Sequence, residues 1–489
     1  MTVQATIATA TVVGVEAVPV EVQADVSAGL PVFGIVGLPD AAVQEARDRV
    51  RAALRAVGFE FPNARLTVNL APAPLRKHGT GFDLPIALAV LCATGQLGAD
   101  AFRGIAAVGE LGLDGSVRPV PGMLAHALAA ARTGRELLGP AEAMGVVGAV
   151  PRLTYRGLAS IAAVKAGLPP GVAGGITLDE ECPRPFVDLA DIAGHAGAKR
   201  CLEVAATGRH HLLLVGPPGS GKSLLARALA GLLPPLGDDE RLETALVHSV
   251  AGLDPEPCLR GVRPFRAPHH SCTVAGLVGG GTPPRPGELS LAHNGVLFLD
   301  ELPEFRPGAL QALRQPVEEG SVTLVRASGA LHYPADFALI AAMNPCPCGF
   351  SGDREKHCSC APGTIARYVS RVGGPMYDRM DMSIRVDRID PALLIDGRGA
   401  SEASRSARER VAVGRAFASF RRERLGEAVV LEPSARALAE FAARSAHLSG
   451  RAVVRLVNVA RTIADMDEAP SVREEHVGEA LGYRTWEAQ

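Results

Sequence analysis

The chain has 489 residues, room for about three domains of ordinary size, and its 47% hydrophobic and 21% charged content is that of a water-soluble globular protein. A formal net charge of −2 excludes a global positive field, so any nucleic-acid site must be a local patch. Nine cysteines, four of them between Cys346 and Cys360, do not make a secreted disulfide framework, and no apolar run approaches the roughly 18 residues that span a bilayer.

The N-terminal stretch has no basic leader and is broken by Glu16, so the expected location is the cytoplasm, with no membrane partner. Along the first region, Val20, Val22, Ala24 and Val26 alternate with Glu21, Gln23 and Asp25, the pattern of a half-buried strand. Residues 40–57 read as a helix capped by Asp40, and Leu66, Val68 and Leu70 alternate again. Residues 1–170 are thus an α+β domain. The Pro- and Gly-rich stretch 168–187 is the expected linker. Residues 188–395 alternate apolar runs with helical patterns, as a parallel-sheet nucleotide-binding core does, and residues 396–489 read as a small helical bundle. The fold class is multidomain α/β.

Gly216-Pro217-Pro218-Gly219-Ser220-Gly221-Lys222-Ser223 matches the phosphate-binding loop G-x-x-x-x-G-K-[ST] in full. An apolar strand, Leu212 to Val215, precedes it and a helical pattern follows. Glycines let backbone N–H groups wrap phosphates, Lys222 would reach the β- and γ-phosphates of ATP, and Ser223 would hold Mg²⁺. Val296 to Leu299 is a second apolar strand, ending in Asp300 and Glu301. Asp300 suits Mg²⁺ through water, and Glu301 suits polarisation of the attacking water. Asn344 closes the next apolar run and is the candidate sensor of the γ-phosphate.

These motifs, with the segments RPFRAPHHSCTVAGLVGGG (263–281), PRPGELSLAHNGVLFLDELPEF (284–305) and AAMNPCPCGF (341–350) and the stretch from Arg367 to Asp381, resemble the magnesium-chelatase-like AAA+ family of ComM and YifB type. The resemblance implies a homo-hexameric, ATP-dependent ring that acts on single-stranded or branched DNA and drives branch migration. It also implies a cation supplied to each ATP by the neighbouring subunit, with Arg379 in the arginine-finger position and Arg451 as the sensor arginine of the helical lid. The N-terminal region resembles the Lon protease domain, from Val108-Gly109-Glu110-Leu111 through Arg118 to Met123. Where that protease has its serine this chain has Gly81, and where it has its lysine this chain has Leu124, so the domain reads as non-catalytic. Thr80 is a conceivable substitute nucleophile, a weak one for want of a nearby base residue.

Cys346-x-Cys348 and Cys358-x-Cys360 offer four thiolates for a tetrahedral Zn²⁺ site. The usual spacing is C-x₂₋₄-C, so free cysteines in a compact turn are the other reading. Arg263, Arg266, His269, His270 and Arg285 lie in a Gly- and Pro-rich loop, and Ser321 to Tyr333 reads as a hairpin turning near Ser328-Gly329 with Arg326 at its tip. Arg263, Arg266 and Arg326 are the expected DNA contacts. The functional expectation is an ATP-driven DNA motor. An ATP-driven remodeller of a protein partner, a Lon-like protease and a metal-chelatase subunit are the alternatives.

Overall fold

A computed structural model of the chain describes residues 4–175, 187–326, 329–353, 355–389, 403–426 and 428–484. Most of the expected linker and the turn residue Ser328 lie outside them.

The N-terminal region is built on an eight-stranded mixed sheet. Its long antiparallel pair, Gln4–Val13 and Glu16–Ser27, runs in continuous register from Gln4 opposite Asp25 to Val13 opposite Glu16. Alternation sets the faces: Val20, Val22 and Ala24 are buried, and so are Leu66, Val68 and Leu70 of the next strand, Arg65–Ala71. The helix Ala41–Ala56 buries Val43, Ala46, Val50, Ala53 and Leu54 against this sheet. Asp40 caps it, accepting the Val43 N–H at 2.9 Å. A second helix, Asp83–Ala93, is buried on every face, which explains its lack of amphipathic pattern.

The central region has a five-stranded, wholly parallel sheet in the order Phe265–Arg266, Val296–Leu299, Ala338–Met343, Leu212–Val215, Met382–Arg385. The three inner strands are apolar throughout because helices and loops cover both faces. Carrying the phosphate loop, the acidic pair and Asn344 on adjacent parallel strands puts all three at the carboxyl ends of the inner strands, where ligands of such sheets bind. The hairpin Ser321–Arg326 and Gly329–Pro334 is rooted in this core by the buried Val322 and Tyr333, with Arg326 opposite Gly329.

The C-terminal region consists of the helices Ser404–Leu425, Pro433–Ser445, Gly450–Met466 and Glu474–Gly482. Their apolar faces share one core with the helices Ala196–Gly208 and Lys222–Leu232. Among the described residues no helix is long and apolar enough to cross a membrane.

Candidate active site

The phosphate loop is held from both sides. Gly216 N–H donates to the Met343 carbonyl (3.2 Å), and Val386 N–H donates to the Val215 carbonyl (2.8 Å). A Cβ on Gly216 would lie 2.1 Å from the Val386 carbonyl oxygen, so only glycine fits there. Gly219 and Gly221 have φ of +77° and +86°, which turns the loop into the helix Lys222–Leu232. The result is a cradle of backbone at a helix N-terminus.

Lys222 is buried, and its ammonium donates to the carbonyls of Gly216 and Pro217 at 2.8 Å each and to Asn344 Oδ1 at 3.3 Å. Burial lowers its pKa, opposed by the charges of Asp300 and Glu301. Ser223 Oγ donates to Asp300 Oδ2 at 2.8 Å, so hydroxyl and carboxylate face one point, as a shared Mg²⁺ requires. The Ser220 hydroxyl is buried without a partner among the described residues. An anion with its metal fits this donor set.

Glu301 adopts the left-handed conformation (φ +52°), and its carboxylate meets His270 Nδ1 at 3.2 Å. The contact ties the Gly- and Pro-rich loop, expected only to meet DNA, to the candidate catalytic acid. Sequence spacing could not show it, because the partners are 31 positions apart and meet through tertiary packing.

Arg379 is 7% exposed and bonded within its own chain, to the carbonyls of Arg314 (3.2 Å) and Pro375 (2.6 Å) and to Glu318 (2.9 Å). Arg451 reaches the same Glu318 oxygen at 3.3 Å, with its side chain 68% exposed. Strand register locates both. Met382 pairs with Leu212 and Arg385 with Val215, so the chain enters this strand at the end remote from the phosphate loop. Arg379 precedes that entry, a strand length of about 13 Å from the loop at 3.3 Å per residue. The arginines thus converge with each other, not with Lys222, Asp300 and Glu301.

The expected DNA contacts separate. Arg263 requires correction: it is 5% exposed, donates to the carbonyls of Pro234 and Asn294 (2.6 Å each), and pairs with Glu240 at 2.8 Å. It braces the core and presents no charge to a surface ligand. Arg266 is half-buried in a two-bond pair with Glu288, 2.7 Å for each bond. Arg326 is exposed near the hairpin turn.

Cys346, Cys348, Cys358 and Cys360 come together with all four sulfurs within 4.8 Å of one another. None of the four is in a disulfide, and the cluster is compatible with a structural zinc.

In the N-terminal region, Leu124 is buried and a Cβ on Gly81 would contact Val108 at 3.2 Å, so neither position carries a reactive group into the domain. The expectation that Thr80 lacks a base near it is corrected. Thr80 lines a cleft of about 400 Å³ with His78 and His126. His78 Nδ1 lies 3.3 Å from Asp40 Oδ2, and burial pushes His126 down to about 4. Folding, not sequence proximity, brings the second imidazole there.

Comparison with known proteins agrees along the chain. Residues 188–394 match the family described as magnesium chelatase, subunit ChlI; residues 22–143 match subunit ChlI of Mg-chelatase; and residues 400–484 match the ChlI C-terminal family. A protein named YifB from Salmonella typhimurium is 41% identical over 485 residues, covering 96% of this chain and 95% of that protein. The competence protein ComM of Haemophilus influenzae is 41% identical over 490 residues, with 96% and 95% covered. An archaeal Lon protease from Thermococcus kodakarensis is 43% identical over 68 residues, 14% of this chain and 10% of that protein. The chain therefore belongs to the magnesium-chelatase-like AAA+ ATPases of YifB and ComM type.

Proposed function

We propose that the protein is an ATP-hydrolysing ring motor that moves branched DNA. The observation that carries the ATPase reading is the convergence of Lys222, Ser223, Asp300 and Asn344 at the carboxyl ends of the inner strands of a parallel sheet. Lys222 neutralises the transferring phosphate, and Ser223 with Asp300 holds Mg²⁺, which supplies charge neutralisation of the phosphates when bound. Glu301 orients and polarises the attacking water once it leaves His270. Asn344, bonded to Lys222, registers which phosphates are present.

Growing negative charge on the transferring phosphate calls for a further cation. Arg379 and Arg451 lie toward the far end of the sheet from their own loop, so the cation they present acts on the ATP of the next subunit. Arg451 is the exposed member and Arg379 positions it through the shared Glu318. A site divided between chains in this way would be completed in a ring, and the ComM relative, a competence protein by name, supports competence as the setting.

The DNA reading is supported by the exposed Arg326 beside the turn of a hairpin, which a ring would repeat. Contacts of this type go to phosphate, so binding is sequence-tolerant and weakens steeply with salt. The alternative of a protein remodeller draws support from the same hairpin, whose tip also carries the exposed Val325. One experiment separates them: ATP turnover with and without single-stranded, duplex and four-way-junction DNA, followed by junction migration with Glu301→Gln as control. Stimulation and migration are expected. Assembled rings that hydrolyse ATP yet show neither leave the remodeller reading.

A further inference from the structure

The cysteine cluster stands beside the ATP site, not apart from it. Cys346 follows the sensor residue Asn344 by two positions. The sulfur separations are 3.3 Å for Cys346–Cys348, 3.7 Å for Cys346–Cys358 and 3.6 Å for Cys348–Cys358. A tetrahedral zinc with Zn–S bonds of 2.3 Å places its sulfurs about 3.8 Å apart. A disulfide needs about 2.05 Å, so this is the geometry of a metal cage, not of two bridges.

The surroundings fit a cage of thiolates. Ser351 N–H points at Cys346 Sγ (3.3 Å) and Cys360 N–H at Cys358 Sγ (3.4 Å), the backbone donors that stabilise metal-bound sulfur. Four thiolates around Zn²⁺ carry a formal charge of −2, and three cations are anchored on the loop between the cysteine pairs. Arg385 donates to the carbonyls of Ser351 and Gly352, Arg388 pairs with Asp353 at 2.9 Å, and Lys356 and Arg388 both lie over the Phe350 ring.

The loop between the two cysteine pairs rests on the phosphate loop. Gly349 has φ of +85°, and a Cβ built on it would lie 2.5 Å from Cδ of Pro218. Arg385, which clamps the far side of the same loop, pairs with Val215, the residue before Gly216. The cysteine loop therefore touches the phosphate loop directly at Pro218 and indirectly through the neighbouring strand, and it continues the segment that carries Asn344.

We propose that Cys346, Cys348, Cys358 and Cys360 bind one zinc ion per chain, and that the ion fixes the phosphate loop and Asn344 in their nucleotide-receiving arrangement. Binding releases the thiol protons to solvent and changes no oxidation state. Without the ion, two short C-x-C segments have no core of their own to hold them, and the support under Pro218 loosens. The coupling rests on the ATP-site reading; the zinc stoichiometry does not.

The test uses the full chain purified without chelator. Metal content is measured by plasma mass spectrometry, and hydrogen exchange of peptides spanning residues 212–225 is followed without nucleotide, so the readout is independent of ATP binding. One zinc per chain is expected in the wild type, and less than a tenth of that in Cys348→Ser and Cys358→Ser. In both variants, and in wild type stripped by a thiol-displacing mercurial, exchange across 212–225 is expected to rise at least tenfold while peptides from residues 84–93 stay unchanged. Gly349→Ala keeps every thiol and separates the two claims: zinc stays at one per chain while exchange across 212–225 rises. Zinc below a tenth of an equivalent in the wild type overturns the site. A full equivalent with unchanged exchange in the stripped protein and in Gly349→Ala overturns the coupling. Full zinc and the expected exchange in a wild type that does not bind ATP would instead reject the ATP-site reading.

Discussion

At the scale of single residues, the chemistry is concentrated in groups that a short motif makes visible. Lys222 is held by two carbonyls and Asn344, so its ammonium is already aimed into the loop. Lys222→Ala is expected to abolish nucleotide binding. Glu301→Gln keeps shape and loses the charge, so ATP should bind as in the wild type while turnover falls by about 10²–10⁴, the range of a lost general base; equilibrium binding and phosphate release check both. The His270–Glu301 contact makes a further prediction. Both side chains are partly exposed, which limits the pair to under about 1 kcal/mol, a factor of roughly five. His270→Ala should raise basal turnover by up to that factor and shrink stimulation by DNA, with ATP affinity unchanged. Identical basal rates and stimulation ratios would show that His270 does not restrain Glu301. The motif residues were legible because each motif is contiguous. His270 on Glu301, Glu318 between Arg379 and Arg451, and Glu240 on Arg263 were not, since long-range ion pairs leave no periodic trace in sequence.

At the scale of elements, alternation and apolar runs announced the strands, and Asp40 announced its helix, because both signals depend on local geometry alone. The strand order was not announced: nothing local says that Met382–Arg385 pairs beside Leu212–Val215, and that pairing decides which end of the sheet Arg379 occupies. Arg263 misled for a related reason, since a Gly- and Pro-rich loop looks solvated until its tertiary partners are known. The same edge strand carries a prediction about stability. Asp381 precedes it, accepts the His211 N–H at 2.8 Å, and is ion-paired with Arg455 of the lid helix Gly450–Met466. Burial alone would raise its pKa, but the His210 hydrogen bond and the charges of His211, His210 and Arg455 outweigh that and hold the carboxyl well below the usual range. A depressed carboxylate contributes stability above its unfolded pKa of about 3.9, and that contribution is lost as pH falls through the lower folded value. Asp381→Asn should therefore cost about 3 kcal/mol at pH 7, the scale for breaking a buried pair, and the gap to wild type should narrow below about pH 3.9. Urea unfolding of both proteins at pH 7 and pH 3 measures it; a gap independent of pH would mean the carboxylate charge is not what clamps the lid.

At the scale of the whole molecule, two regions meet the ATPase core with different burdens. The N-terminal cleft holds Thr80, His78 and His126, yet His126 is pushed to about 4 by burial and so stays neutral, and no acidic or amine group stands where the resembled protease has its serine and lysine. Casein-type substrates should remain intact with ATP present; cleavage that vanishes in Thr80→Ala would give the cleft a catalytic role. The opposite placement of Lys222 and Arg451 leads to the test of assembly. One chain holds its phosphate-binding groups at the carboxyl ends of the parallel strands and its exposed cation toward the other end, so on the proposed reading neither variant alone forms a complete site at any interface. Lys222→Ala homo-rings lack the loop lysine in every site, and Arg451→Ala homo-rings lack the neighbour's cation in every site. In a mixed ring, an interface formed by an Arg451→Ala loop and a Lys222→Ala cation is intact on both sides. For random equal mixing that order occurs at about one interface in four, so recovered turnover should approach a quarter of wild type if sites act independently, and less if they fire in sequence. The same cross with Arg379→Ala should rescue more weakly, because that side chain is buried and acts by holding Glu318 in place. Mixtures that assemble, as checked by light scattering, but recover no turnover with either arginine variant would place the missing cation within the same chain and remove the structural reason for a ring.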